Sequence, residues 1–415
     1  MGSSKFNYII GLVSGVALAV LLYAFVLAPM GNGAIPPSSG ISAATSIDNQ
    51  SDGLDLLLVQ EKLAHINRLI GDHFIGDFDM DLAIDLMFRG FVSGAGDPYT
   101  SYMDAEGYAA FVERAQGEFS GIGVTVTVDT NDNRILVISP HEGSPAFEAG
   151  IIPGDKIVRV EGAEVTGDTL NEAISMIRGE IGTSVTITIL RESEDRLIDF
   201  TIVRDIVQIE TVRASMLENN IGYIRLSGFD MLTFEQFSSA YNRLVSQNME
   251  GLIIDVRNNP GGLMDAVVNI ADLLIPEGVI TYTEDAHGRR QYHRSGAGQI
   301  EVPLLILQNG NSASASEVLA GAVRDSGVGE LVGTTSFGKG VVQSIFRLPD
   351  ESAVRITVAR YYSPNGISID GEGFAPEHYI EMDAALTNNL IQLALEEDIQ
   401  LLETIRIMNT KIRGQ

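Results

Sequence analysis

The sequence predicts an α/β protein: a βαβ core with a mainly parallel sheet, a smaller α+β module set into the chain ahead of it, and an N-terminal helical segment. Three observations predict this. From Ile221 onward, apolar strand-like runs alternate with helical stretches, as parallel βαβ units require. Between Gly121 and Val203 the texture differs, with short alternating strands, two short helices and glycine turns. The 415 residues, 45% hydrophobic and 20% charged, match globular composition and allow roughly two or three domains.

The chain begins with an uncharged stretch from Phe6 to Ile47, of which Tyr8 to Ala28 is almost wholly apolar. About 20 apolar residues span a bilayer, whereas a cleavable signal carries about 7–15. Residues 1–30 are therefore expected to be a membrane anchor, the alternatives being a cleaved signal sequence, left open by Gly31-Asn32-Gly33, and a buried core helix. Lys5 before the stretch and acidic residues after Asp48 favour a cytoplasmic N-terminus and a body outside the cytoplasm. Residues 31–51, rich in Gly, Pro, Ser and Ala, read as a flexible linker.

Residues 52–115 are expected to be helical: Leu54, Leu57, Leu58, Ile66, Leu69 and Ile70 recur at helical spacing, and Asp79 to Val92 continues the pattern. The turn Gly96-Asp97-Pro98-Tyr99 and a further short helix follow. In the module, 116–205, strands Ile122–Val128 and Ile135–Ile138 precede a short helix to Ala149. The strand Lys156–Val160, a helix from Thr169 to Ile177, and strands Ser184–Leu190 and Ile198–Val203 complete it. The core, 206–382, should contain strands Ile221–Leu226, Gly251–Val256 and Val302–Gln308, with helices Thr233–Gln247 and about Ala313 to Ser326 between and after them. An amphipathic helix, Leu390 to Met408, is expected within 383–415.

The charge balance, 27 Lys+Arg against 55 Asp+Glu for a net charge of −28, argues against nucleic acid as a partner. The absence of cysteine removes disulfides, thiol catalysis and Cys-ligated zinc. No His-Glu-x-x-His and no Gly-x-Ser-x-Gly motif occurs.

Three segments, each after a predicted strand, carry chemistry. Asp255-Val256-Arg257-Asn258-Asn259-Pro260-Gly261-Gly262 runs into a glycine turn whose N–H groups could receive an oxyanion; the plain alternative is a strand-ending turn. Asn309 to Glu317 holds three alternate serines, Ser312, Ser314 and Ser316, at a helix start; a nucleophile or mere helix capping would both explain them. Gly333 to Gly340 nearly matches a phosphate loop, but Gly340 stands where the magnesium-binding hydroxyl belongs, which argues against a nucleotide. Its Lys339 could pair with a serine, a known variant of nucleophile activation.

In combination these segments resemble the carboxyl-terminal processing proteases, membrane-associated or exported serine proteases with a PDZ domain beside a Ser-Lys core. The resemblance runs from about Asp52 to the C-terminal helix. It rests on Gly96-Asp97-Pro98-Tyr99-Thr100-Ser101-Tyr102, Ser312 to Glu317, Thr335 to Gln343, and Tyr361-Tyr362-Ser363-Pro364-Asn365-Gly366. It implies a crotonase/ClpP-like protease core at 206–382 and a PDZ domain at 116–205. It also implies Ser314 as nucleophile, Lys339 as general base, Gln343 as the lysine's hydrogen-bond partner, and Ala315 with Gly262 or Gly261 as oxyanion-hole donors. Gly121-Ile122-Gly123-Val124 resembles a PDZ carboxylate-binding loop, which implies protein substrates with apolar C-termini. Gly373-Phe374-Ala375-Pro376-Glu377 departs from the family's more usual Gly-Ile-x-Pro-Asp at a structural turn. No metal or cofactor is implied.

The physical reading agrees with the implied roles. A solvated lysine, pKa about 10.4, is charged near neutrality; apolar burial can lower that by ~3–5 units and free the amine to take the serine proton. Arg178, ending the module's second helix, reads as a solvated charge, with a link between PDZ and core as the alternative. Helices 54–115 and 390–408 could mediate a homodimer or simply pack on their own core. The rival functions are a catalytically inactive, membrane-tethered PDZ scaffold and a binder of hydrophobic small molecules. Labelling by a serine-directed probe discriminates both.

Overall fold

The computed structural model describes residues 55–414 other than 195, 297, 388, 389, 391 and 392. The predicted span Tyr8–Ala28 and its linker lie outside the described residues. Among the described residues, no helix is long and apolar enough to cross a membrane. The chain divides into two units, before and after Phe78. In the first, α1 (Leu56–His73) starts at Asp55, whose carboxylate accepts the Leu58 N–H at 3.0 Å.

The second unit opens with α2 (Met80–Ser93), a short strand β1 (Ser101–Met103) and α3 (Ala105–Gln116). Strand β2 (Glu118–Gly121) leads into the inserted module. The module's main sheet joins β3 (Val124–Asp129), β4 (Arg134–Pro140), β5 (Lys156–Val160), β7 (Ser184–Arg191) and β8 (Arg196–Val203), with the two-residue β6 (Ala163–Glu164) on β5. Two helices, α4 (Pro145–Ala149) and α5 (Leu170–Ile177), complete it. Alternation places Ile135, Val137, Ile157, Val185, Ile187 and Ile189 in one buried cluster with Ala173 and Ile177 of α5. The chain leaves through β9 (Asp205–Gln208), which pairs antiparallel with β2, so entry and exit run as one ribbon. That ribbon has no counterpart among the sequence expectations, because each strand finds its partner about ninety positions away in sequence (Glu118 opposite Gln208).

The core sheet has the order β10-β11-β12-β15-β16-β19, from β10 (Val212–Leu217), β11 (Ile221–Leu226), β12 (Gly251–Asp255), β15 (Leu304–Gln308), β16 (Gly329–Gly333) and β19 (His378–Tyr379). All neighbours are parallel except β10 with β11. Helices α6 (Thr233–Ser246), α7 (Met264–Leu274) and α8 (Ala315–Ser326) supply the crossovers. Strands β12 and β15 are buried at every position, because both sheet faces are covered. Leu252, Ile254, Leu304 and Ile306 point to α6–α8; Ile253, Leu305 and Leu307 point to the C-terminal helix.

A one-turn helix, α9 (Ala384–Thr387), precedes that C-terminal helix, α10 (Ile399–Arg413). The expected start at Leu390 moves to Ile399, because Asp398 acts as N-cap and accepts the Leu401 N–H at 2.9 Å.

A second sheet is antiparallel and has the order β1-β18-β13-β14, with β17 on β18. It comprises β13 (Gly278–Asp285), β14 (Arg290–Ser295), β17 (Val341–Arg347) and β18 (Ala353–Tyr362). Its pairings connect Ser101 to Arg355 and Gln343 to Thr357, so the Gly96–Tyr102 segment lies on the sheet that carries the lysine loop.

Candidate active site

The nucleophile loop begins where buried β15 ends. Ser312 and Ser316 are fully enclosed, and each donates to a main-chain carbonyl: Ser312 Oγ to Val256 O at 2.8 Å and Ser316 Oγ to Asn259 O at 2.9 Å. They tie this loop to the glycine turn after β12. Ser314 differs. It is only partly buried, its hydroxyl donates to no acceptor among the described residues, and its backbone holds φ 57° and ψ −115°. A non-glycine residue in that region costs of order 1–3 kcal/mol and marks functional turns. The serine string is thus two structural hydroxyls around one presented one.

The glycine turn lies against this serine. A Cβ on Gly261 would come within 2.7 Å of Ser314 Cβ, and one on Gly262 within 2.0 Å of Phe229 O, so neither position admits a side chain. Gly261 N–H donates to Asn259 Oδ1 at 2.9 Å and is therefore committed. The N–H groups of Gly262 and Ala315 have no acceptor among the described residues. Of the two expected glycines, the geometry leaves Gly262 free to act with Ala315 and withdraws Gly261. The Asn258 N–H donates to Asn309 Oδ1 at 3.0 Å and Asn309 Nδ2 to Asn258 Oδ1 at 2.8 Å, which fixes one loop on the other.

Glu317, to which sequence reasoning assigned no role, binds the site together. Its buried carboxylate accepts the Ser314 N–H (2.9 Å), Ser336 Oγ–H (2.6 Å), Gly338 N–H (2.7 Å) and Lys339 N–H (2.9 Å). Burial raises its pKa above the ordinary carboxylate value, against the lowering by these donors. Tyr361 adds a second tie, its buried hydroxyl lying against the main-chain carbonyls of Ser314 and Lys339. The glycines around Lys339 follow from packing: a Cβ on Gly340 would meet Asp370 N at 2.7 Å, and one on Gly338 would meet Glu372 N at 2.9 Å. The near phosphate-loop pattern is a backbone contact with the 369–373 turn.

Lys339 is half-buried at the start of β17. Desolvation lowers its pKa, helped by Arg355 and opposed by Asp97 and Glu317. Its Nζ lies 4.9 Å from the centre of the Tyr99 ring and makes no hydrogen bond to Ser314. Gln343 follows a bulge in the β17–β18 pairing, and its Nε2 is buried without a partner among the described residues. The expected Gln343–Lys339 hydrogen bond is not formed in this arrangement, where Lys339 Nζ lies over Tyr99 instead.

A buried ionic network supports the glycine turn from behind. Arg257, 1% exposed, donates to both Asp398 oxygens (2.8 and 2.7 Å) and to Asp255 Oδ2 (2.7 Å), which also accepts Tyr223 OH at 2.7 Å. Burial opposes ionisation of Asp255, but Arg257 outweighs it and its pKa lies below the usual value. Phe374 is buried, its ring under Arg324, and its N–H donates to Ser336 Oγ at 2.7 Å.

In the module, the carbonyls of the Gly121–Val124 loop turn inward. Ile122 O accepts Ala146 N–H at 2.8 Å, and Gly123 O accepts His141 N–H and Ser144 Oγ–H, each at 2.9 Å. The Ile122 and Gly123 N–H groups meet no acceptor among the described residues, which leaves consecutive donors for an anion. Arg178 is not a free helix-end charge: its Nη1 pairs with Glu113 of α3 at 2.7 Å and its guanidinium lies 5.2 Å from the Phe119 ring centre. Sequence spacing could not reveal a partner so distant along the chain.

Comparison with known proteins follows the same division. The model for peptidase family S41 matches residues 220–380, and a PDZ domain model matches residues 120–202. The chain is 40% identical over 295 residues to the carboxy-terminal-processing protease of Bartonella bacilliformis, covering 69% of this chain and 67% of that one. It is 34% identical over 366 residues to the carboxy-terminal processing protease CtpA of Bacillus subtilis, covering 88% and 75%. An S41-type structure from Bacteroides fragilis superposes with a TM-score of 0.52 at 16% identity, over 81% of this chain and 93% of that one, a likeness of fold.

Proposed function

Because the chain belongs to the carboxy-terminal processing proteases of family S41, PDZ-containing serine peptidases, we propose that it cleaves proteins near their C-termini with Ser314 as nucleophile and Lys339 as base. The observation that carries this reading is the presentation of Ser314. Among the described residues it is the one serine of its string whose hydroxyl donates to no acceptor, and the unpaired N–H groups belong to Ala315, which follows it, and to Gly262, in the glycine turn packed against it.

Neutral Lys339 takes the Ser314 proton as Oγ attacks the scissile carbonyl. The carbonyl oxygen becomes an oxyanion between the Gly262 and Ala315 amides. Collapse expels the amine, which receives the proton from Lys339, and leaves an acyl group on Ser314. Water, deprotonated by the same amine, then hydrolyses the ester. The base works only when uncharged, so the rate rises with pH through its depressed pKa. Gln343 holds the amine in line once Lys339 turns from Tyr99 toward Ser314.

Recognition is assigned to the PDZ domain. A substrate carboxylate accepts from the Ile122 and Gly123 amides, the peptide adds as a strand beside β3, and apolar terminal side chains enter the pocket beside Ile122 and Val124. The body is held outside the cytoplasm by an uncleaved anchor at Tyr8–Ala28, a reading supported by the uncharged stretch from Phe6 to Ile47 and by Lys5. The exposed Leu82, Leu86, Met87 and Phe91 of α2 support a homodimer. An inactive scaffold is the rival function, and the test separates them: purified protein should cleave a free-acid peptide with an apolar C-terminus and cleave its C-terminal amide poorly. Ser314→Ala should cleave neither. Activity in Ser314→Ala, or none in the unaltered protein with any peptide, overturns the reading.

A further inference from the structure

We propose that Tyr99 is a positioning residue for Lys339, holding the protonated amine on the face of its ring and releasing it as the free base. The inference rests on Lys339 being the base. Three groups that must meet in the reaction stand apart here. Among the described residues, Ser314 Oγ donates to nothing, Gln343 Nε2 is buried and unpaired, and Lys339 Nζ lies over the Tyr99 ring at 4.9 Å. Lys156 and Lys411 each sit within 2.9 Å of a carboxylate oxygen, whereas Lys339 makes no ion pair among the described residues. The aromatic face is therefore the counterpart that its charge has found.

Tyr99 is held firmly enough to do this. Its N–H donates to Asp97 Oδ1 at 3.2 Å, and Arg355 Nε donates to its carbonyl at 3.2 Å. Thr100 Oγ1 donates to Asp97 Oδ2 at 2.6 Å and accepts the Thr357 N–H at 3.1 Å. The β1–β18 ladder begins two residues later. The ring thus rides on the sheet that carries Gln343, and the lysine moves against it.

A ring face attracts an ammonium through its quadrupole and does not attract a neutral amine in this way. Tyr99 therefore favours the charged, waiting form of Lys339, and loss of the proton frees the side chain to reach Ser314 and Gln343. The other groups facing the amine are Arg355 from β18, which disfavours its charge, and Asp97 before β1 and Glu317 from α8, which favour it. Burial raises the pKa of the Tyr99 hydroxyl, so the ring is not a phenolate at working pH.

Substitutions separate the quadrupole from the cover the ring provides. Tyr99→Phe keeps both. Tyr99→Leu keeps an apolar cover without the quadrupole, so the lysine pKa should fall by about 0.5–1 unit. The experiment is a pH titration of full-length protein labelled with [ε-¹³C]lysine. The chain holds five lysines, and Lys339→Arg identifies the signal. Tyr99→Phe should titrate with the unaltered protein and Tyr99→Leu below it, while the Lys156 and Lys411 signals stay in place and report an intact fold. Tyr99→Met replaces the leucine variant if those signals move. A leucine or methionine curve that overlays the unaltered one, or lies above it, overturns the proposal. If Lys339 is the base, the acid limb of kcat/KM moves with the titration. A titration that moves while the limb stays still supports the hold of Tyr99 on the amine and refutes Lys339 as base.

Discussion

Replacing Glu317 by glutamine changes no volume and removes a buried charge, yet it should disable the site. The carboxylate receives four donors, Ser336 Oγ and Gly338 N on Oε1, Ser314 N and Lys339 N on Oε2. An amide offers one oxygen and one NH₂ group, so in either orientation two donors face a donor. Each buried donor left unpaired costs about 1–3 kcal/mol, which sums to roughly 2–6 kcal/mol. Deleting the buried charge offsets part of this, because burial raises the Glu317 pKa and the cost of desolvating its carboxylate is no longer incurred. The protein should remain folded with a lower melting temperature. Loosening the Ser314 and Lys339 main chains misplaces nucleophile and base together, and misplacement of about 1 Å costs on the order of 10²-fold in rate. The assay is kcat and KM on a free-acid peptide beside a thermal melt of the same samples. A kcat within threefold of the unaltered protein and an unchanged melt would refute the claim that this carboxylate holds the site in register.

Other perturbations follow from the same geometry. Asp398→Asn should destabilise the core by about 3–5 kcal/mol, measurable by denaturant unfolding, because it leaves Arg257 buried without its bidentate partner. Since Asp255 has a depressed pKa, the stability it contributes is full above its unfolded value near ~3.9 and is lost as pH falls through the folded one; an acid titration of unfolding should show this. Ser312→Ala and Ser316→Ala should reduce the rate while retaining turnover, since these hydroxyls brace loops, whereas Ser314→Ala should lower kcat by on the order of 10⁴-fold or more.

The βαβ core was legible because β12 and β15 carry apolar runs, Leu252–Ile254 and Leu304–Leu307, and α6–α8 carry a clear period, which reflects burial on both faces. The module's strands were legible from alternation, within a residue or two at most ends. What escaped depends on long-range pairing. Strands β2 and β9, and β1 on β18, are short and gain identity only from partners far along the chain. The serine string and Lys339 were singled out from motif and spacing, but which serine is free depends on the carbonyls of Val256 and Asn259 that occupy its neighbours. Likewise Glu317 stood inside a quoted motif, and only the fold brings Ser336, Gly338 and Lys339 onto its oxygens. The Lys339–Tyr99 contact and the unpaired Gln343 amide are conformational facts that a linear pattern does not encode.

The central claim is that Lys339 acts as a neutral amine, and the most direct measurement is kcat/KM of Lys339→Arg as a function of pH. Guanidinium stays protonated at any working pH and cannot accept the Ser314 proton, although it keeps the charge and approximate length. The account predicts that this variant is as inactive as Lys339→Ala at every pH, while the unaltered protein gains activity as pH rises through the depressed lysine pKa. Cleavage by Lys339→Arg near the unaltered rate would contradict it.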